Sequence, residues 1–401
     1  MKGSVFAIAL ALVGPTACPL LIPAAQAAGA RDPFAGITES TSTPEETSGS
    51  WAQRFFTDNF GFRKEIMSEF AASEQAPAYS RQSVGFEALK KFSSETATIA
   101  SINFQGRLVR RDRFVPVLND MEGASRPGWW FEYHNAYLDL YNVLDPVLSD
   151  ERQAEDVGRF NLRAGRFYVP FGLNLQTDTH ATILQLSNER DFGFERDWYT
   201  GFWGAVNRDL NYDACYLAGS GYDLKYRGQS GLGAARLSLS NKYGYDYGLE
   251  GGLSVLEGER LSPEAAQRDP RAAARAGPSS VVQTRRVGID GRYRQPVPTG
   301  LLTLSSELSG GRDVPDAVFA QLYQVEYLHN SRRWGLATQY RRFWQDGPGV
   351  DSSIIGEATW YFRNDVGNSN LDWIKVNVER KLEQIQARQD AIVALQYYRY
   401  W

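Results

Sequence analysis

The sequence predicts an all-β chain, namely a transmembrane antiparallel up-and-down β-barrel of about fourteen strands, with sixteen inside the counting margin, preceded by a short N-terminal helical segment. Three observations carry this. From residue 97 onward apolar and polar residues alternate with period two, in runs of about ten residues, the length a tilted strand needs to cross a bilayer. The polar faces of those runs carry full charges, while the apolar faces mix Leu, Val and Ile with Ala and Gly and end in Tyr or Trp, which suits lipid better than a tight core. Short connections interleave with long ones, as they do when tight turns occupy one rim of a barrel and long loops the other.

Composition agrees. The chain of 401 residues holds 21 Tyr, 10 Trp and 37 Gly but only 2 Cys and 3 Met. Its formal charge of −4 gives no nucleic-acid signal. No segment after the N-terminus approaches the ~20 apolar residues of a spanning helix.

The elements follow in order. Lys2, the apolar run Val5 to Val13 and the small residues ending in Ala25-Gln26-Ala27 read as a secretory signal peptide over residues 1–27. Cys18 is removed with it, which leaves Cys215 without an intramolecular disulfide partner. Residues 28–50, with "TESTSTPEETSGS", read as a flexible linker. In residues 51–93, Trp51, Phe55, Phe62, Ile66 and Phe70 recur at three-, four- or seven-residue steps, as on a helix face. That segment is expected to be a small helix packed on the rest, or a periplasmic element or lumen plug.

Strands are expected to start near residues 97, 128, 158, 203, 222, 231, 244, 281, 300, 317, 333, 353, 371 and 390. "ATIASINFQGRLVR" sets Ala100, Ile102, Phe104 and Leu108 against Asn103, Gln105 and Arg107; "TRRVGIDGRYR" sets Val287, Ile289 and Tyr293 against Arg286, Asp290 and Arg292. "DWIKVNVER" sets Ile374, Val376 and Val378 against Lys375, Asn377 and Glu379. "GSG" at 219, "NKYG" at 241, "QPVPTG" at 295 and "HNSRR" at 329 read as short turns. Residues 111–127, 171–201 and 258–280 read as long loops, all at the outer rim if the N-terminus is periplasmic. The chain closes on "AIVALQYYRYW", where Val393, Leu395 and Tyr397 alternate before Trp401 and Arg399 interrupts the apolar face.

"LRAGRFYVPFGLNLQ" is a strand that ends in a Pro-Phe-Gly turn, with Gly165 a candidate bulge and Pro170 ending the ladder where no donor is needed. Together with "LQLSNERDFGFERDWYTGFWG", in which Glu189-Arg190 precedes Asp191-Phe192-Gly193, it resembles the phosphate-selective porin O/P family over residues 158–204. That resemblance implies a bacterial outer-membrane porin, a trimer, and a long loop at 171–201 folded inward to narrow the channel. It does not imply phosphate specificity, because the ladder of lumenal basic residues on which that depends is not evident.

Candidate pore-lining and constriction residues are Asp178, Glu189, Arg190 and Asp191 on that loop, and Arg107, Arg163, Arg286, Glu326 and Arg341 on the wall. Opposed carboxylates and guanidinium groups at a narrowing create a transverse field that selects solutes by charge and size. The same loop charges would also serve as exposed salt bridges, each worth little. His134, His180 and His329 lie in no metal- or haem-binding spacing, and there is no G-x-S-x-G, so neither a cofactor nor an enzyme is expected. The expected function is passive diffusion of small hydrophilic solutes through a homo-oligomer in contact with lipid and lipopolysaccharide. The alternative is a barrel sleeve that houses an electron-transfer cytochrome or export component, with residues 51–93 as its protein contact.

Overall fold

In the computed structural model the wall is built from β1 (Phe60–Ser73), β2 (Tyr79–Ser93), β3 (Thr98–Arg111), β4 (Gly128–Leu140), β5 (Asn161–Tyr168), β6 (Arg196–Asn207), β7 (Leu210–Leu217) and β8 (Gly231–Leu239). It continues with β9 (Gly248–Leu261), β10 (Val281–Val297), β11 (Gly300–Asp313), β12 (Asp316–His329), β13 (Trp334–Gln345), β14 (Gly349–Asp365), β15 (Asn370–Glu383) and β16 (Ala391–Tyr400). Every strand pairs antiparallel with its sequence neighbours, and β1 pairs with β16, so the sheet closes into a barrel. The structure describes residues 55, 58–74, 78–93, 98–112, 128–144, 159–173, 183–184, 195–207, 209–221, 231–239, 248–261, 281–347, 349–365, 370–383 and 391–401. The expected signal peptide and linker lie outside the described residues.

Period two sorts the side chains. Leu108, Leu253, Val287, Ile289, Val376, Val378, Val393 and Leu395 face outward and are exposed. Their alternates Arg107, Ser254, Arg286, Asp290, Lys375, Asn377, Glu379, Ile392 and Ala394 face the lumen and are buried. An apolar exterior around a polar interior inverts a soluble core. A closed barrel satisfies every backbone group without water, so its exterior belongs in a bilayer, and this is the outer-membrane solution to crossing one. No described helix is long and apolar enough to cross a membrane.

The N-terminal segment requires a correction. Phe60–Ser73 and Tyr79–Ser93 are strands, not a helix, plug or separate element. Phe62, Ile66 and Phe70 all lie on the outward face of β1. Lys64 and Ser68 occupy the outward positions between them, which stretches a period of two into an apparent period of four. The barrel therefore has sixteen strands, at the edge of the expected margin. Adding two strands keeps the parity, so the connections 112–127, 169–195 and 262–280 still open at one rim.

The strand expected near 222 is β7, which starts earlier. The β6–β7 turn at 208–209 contains no Gly, and the Asn207 side chain accepts the Asp209 N–H at 2.8 Å. Gly219 and Gly221 are not a hairpin turn; both lie beyond β7 with φ of 74° and 70°. The turns at 298–299 and 330–333 fall where expected, and "NKYG" lies outside the described residues. Gly165 stays in register with β4 and β6, so it is not a bulge. Its φ of 130° and the closeness of the Ala136 carbonyl and Tyr137 Cα leave no room for a side chain.

The seam is pinned at its last residue. Lys64 N–H donates to the Trp401 carbonyl at 2.8 Å and Trp401 N–H to the Lys64 carbonyl at 3.0 Å. Arg399, the interruption of the outer face, lies over the Trp401 ring with 4.8 Å to its centroid.

A candidate functional site across the lumen

The ladder of β5 stops at Tyr168. Val169 N–H donates to the Glu195 carbonyl at 2.9 Å, which holds the two stems of the β5–β6 connection together. Pro170 follows, and the chain turns inward. Val169 and Phe171 pack in one buried cluster with Tyr199, Leu217, Leu232, Ala234 and Leu256, all on the lumenal faces of β6 to β9. Gly172 N–H donates to Ser254 Oγ on β9 at 3.0 Å, and Leu173 N–H to Glu307 Oε2 on β11 at 2.8 Å.

Two glycines make this seat. A Cβ at Gly288 on β10 would lie 2.8 Å from the Phe171 ring, and one at Gly172 would collide with the Glu307 carboxylate. Gly172 also has φ of 61°, which a side chain resists. Further along the same connection, Ile183 is buried with Ala71 of β1, Tyr79 of β2, and Ile392 and Ala394 of β16. Described residues of one connection therefore touch the inner wall at β6–β11 and again at the β16–β1–β2 seam. Each buried Phe, Val, Leu or Ile contributes about 1.5–3 kcal/mol relative to exposure, which holds the segment inside against its entropy of ordering.

The gap above the short β5 is filled by arginines. β4 pairs with β5 only from Ala136 onward. Arg166 Nη1 donates to the His134 carbonyl at 2.6 Å, and Arg196 Nε to Asn135 Oδ1 at 3.2 Å, with its guanidinium 4.1 Å from the centre of the Tyr168 ring. Asp197 accepts the N–H of Gly219 at 2.5 Å and of Gly221 at 2.9 Å, which binds the start of the β7–β8 connection to this rim.

The wall candidates are brought onto the lumenal face but not into one cluster. Arg107 meets Glu132 at 3.1 Å, with Arg81 at 3.7 Å from the same oxygen. Arg286 and Arg260 share Asp313, at 2.7 and 2.8 Å. Arg341 reaches Asp351 at 3.1 Å. Glu326 is half-buried on the inward face of β12. Arg163 holds both Asp139 oxygens at 2.7 Å, and its guanidinium lies 3.6 Å from the Phe167 ring centre, with Tyr137 and Trp203 at 4.7 and 5.0 Å. The loop candidates Asp178, Glu189, Arg190 and Asp191 lie outside the described residues.

Further pairs complete the wall: Arg236 to Asp290 at 2.6 Å across Gly252, Arg294 to Glu250 at 2.8 Å, and Lys375 to Glu357 at 3.1 Å. Among the buried ionisable side chains of the described residues, Lys and Arg balance Asp and Glu one for one. This set therefore carries no net excess of either sign. Sequence reasoning missed the seat made by Ser254, Gly288 and Glu307. The signal was Gly288, a side chain missing between the inward Arg286 and Asp290, which marks a close approach by another part of the chain.

No family model matches the sequence, and no curated protein matches it. Among solved structures, the fold is similar to that of Pseudomonas putida OprB at 10% identity, with a TM-score of 0.57 over 86% of this chain and 94% of that one. It is also similar to an anion-selective porin from Comamonas acidovorans at 8% identity, with a TM-score of 0.53 over 85% of this chain and 98% of that one. At such identities the likeness is one of fold, a porin-type outer-membrane barrel. The finer resemblance to the phosphate-selective O/P family is carried by no family model.

Proposed function

We propose that the protein is a non-enzymatic bacterial outer-membrane channel through which small hydrophilic solutes diffuse passively. The observation that carries this reading is the β5–β6 connection, docked on β9–β11 at one side and on the β16–β1–β2 seam at the other. A segment tied at both sides of a polar lumen narrows the path without sealing it by a domain. Solutes then pass between that segment and a wall of alternating guanidinium and carboxylate groups, selected by size and by the transverse field.

The roles divide along the geometry. Asp178, Glu189, Arg190 and Asp191 would supply the loop side of the constriction. Arg107, Arg286, Glu326 and Arg341 would supply the wall. Arg163, gripped by Asp139 and enclosed by three aromatic rings, braces the strand that launches the crossing segment more than it meets solute. Balanced wall charge favours weak ion selectivity. The likeness in fold to an anion-selective porin does not transfer that preference. A homo-oligomer, a trimer by resemblance, belongs to the same reading.

The sleeve alternative loses its motive, because residues 60–93 are wall rather than an extra segment. Purified protein in planar lipid bilayers should give discrete conductance steps with little voltage dependence. Absence of conductance at any voltage, from protein shown to be folded by its heat-modifiable gel mobility, contradicts the channel reading.

A further inference from the structure

Buried cations and carboxylates of the described residues are equal in number, but the outer surface is different. Arg285 on β10 and Arg312 on β11 sit directly opposite each other on the lipid-facing side. Directly opposed residues of an antiparallel pair hold their Cβ atoms about 4.5–5.5 Å apart, and like charges so placed repel. Arg285 is 75% exposed, and the carboxylate opposite it on β9 is Glu257, at 3.7 Å and 66% exposed, with Glu259 two residues further along that strand. Such an exposed, loose contact relieves little of the repulsion. Two arginines held in register at the edge of an apolar belt call for an anion between them.

The surface beneath is shaped as well. One step further into the belt, Val287 faces Gly310, and Gly310 faces Phe319 of β12. Gly310 carries no side chain on this lipid-facing surface, and the nearest atom to a Cβ built there is a Phe319 ring carbon at 3.6 Å. Val287 and Phe319 are both exposed, at 58% and 41%. The result is a shallow apolar groove between two walls, headed by two arginines. Its polar head lies at the rim from which the connections 112–127, 169–195 and 262–280 open.

We infer that the outer face of β10–β12 is a binding site for a phosphorylated glycolipid of the lipid A type. A phosphate bridges Arg285 and Arg312, and an acyl chain lies in the groove at Gly310. Guanidinium forks match phosphate oxygens in geometry and charge. The choice of a lipid A type over a glycerophospholipid rests on the long-loop rim facing the cell exterior, which is part of the channel reading; the pairing of two arginines over a groove does not depend on it.

The test is native mass spectrometry of delipidated protein titrated with diphosphoryl lipid A in detergent, alongside phosphatidylglycerol. The double variant Arg285→Gln/Arg312→Gln should bind lipid A at least about tenfold more weakly than the unaltered protein, the cost of losing one charge-assisted hydrogen bond or more. Gly310→Trp, which fills the groove and keeps both arginines, should weaken it too. Arg110→Gln/Arg380→Gln, which removes exterior arginines on other strands, should leave it unchanged. Equal lipid A binding by the Arg285/Arg312 variant, or equal loss in the Arg110/Arg380 variant, overturns the site; stronger binding of phosphatidylglycerol than of lipid A overturns the choice of lipid. All these variants should conduct as the unaltered protein does, so a failure here is separable from a failure of the channel reading.

Discussion

The N–H of Leu173 donates to the carboxylate of Glu307 at 2.8 Å, although 134 positions separate them and the strands they follow from and belong to, β5 and β11, are not neighbours in the wall. That bond, with Gly172 to Ser254 beside it, fastens a rim connection to the inner wall. Removing the acceptor by Glu307→Ala leaves a buried N–H unsatisfied, at a cost of about 1–3 kcal/mol local to the docked segment. Single-channel recordings should show a larger, noisier open level. Glu307→Gln keeps an acceptor and should stay closer to the unaltered protein.

Gly288 sets where Phe171 rests. Gly288→Val places carbon atoms where the Phe171 ring lies and should displace the segment, at a cost of about 1–3 kcal/mol for overpacking. Conductance should rise, while strand content by circular dichroism stays the same. An unchanged conductance with intact fold would show that Phe171 does not position the constriction.

Arg163 is a structural brace. Its bidentate bond to Asp139 is buried, and truncating one partner leaves the other charge uncompensated, which typically costs about 3–5 kcal/mol. Arg163→Ala should lower the temperature at which the barrel loses its compact gel mobility. Arg163→Ala/Asp139→Ala should recover part of that loss. Reversal potentials in a salt gradient should move less for this residue than for Glu326→Gln, which removes a half-buried lumenal charge and should shift selectivity toward anions.

The seam depends on Trp401. Deleting it removes two backbone hydrogen bonds to Lys64, each worth about 0.5–1.5 kcal/mol net, and the stacking partner of Arg399. The truncated chain should unfold at lower urea concentration than the full chain, as followed by tryptophan fluorescence.

Much of the barrel was legible because lipid outside and charge inside impose one period on nearly every strand. Val287 against Arg286 and Val376 against Lys375 are read directly. β1 was not legible, since Lys64 and Ser68 interrupt its lipid face and imitate a helix. β7 was displaced because its turn rests on an Asn207 side-chain bond rather than on glycine. The site was half legible: Pro170 and Gly172 marked where the strand ends, but the seat at Ser254, Gly288 and Glu307 arises from contacts between strands far apart in sequence. Arg163 was placed on the correct face, yet its burial among Tyr137, Phe167 and Trp203 depends on three strands and on no local pattern.

The most direct measurement is single-channel conductance in planar bilayers of the unaltered protein beside a variant in which residues 174–194 are replaced by a short Gly-Ser link. A channel narrowed by this connection gives discrete steps in the unaltered protein and larger steps in the variant. Equal steps in both would contradict the crossing segment as the constriction, and no steps in either folded protein would contradict the channel itself.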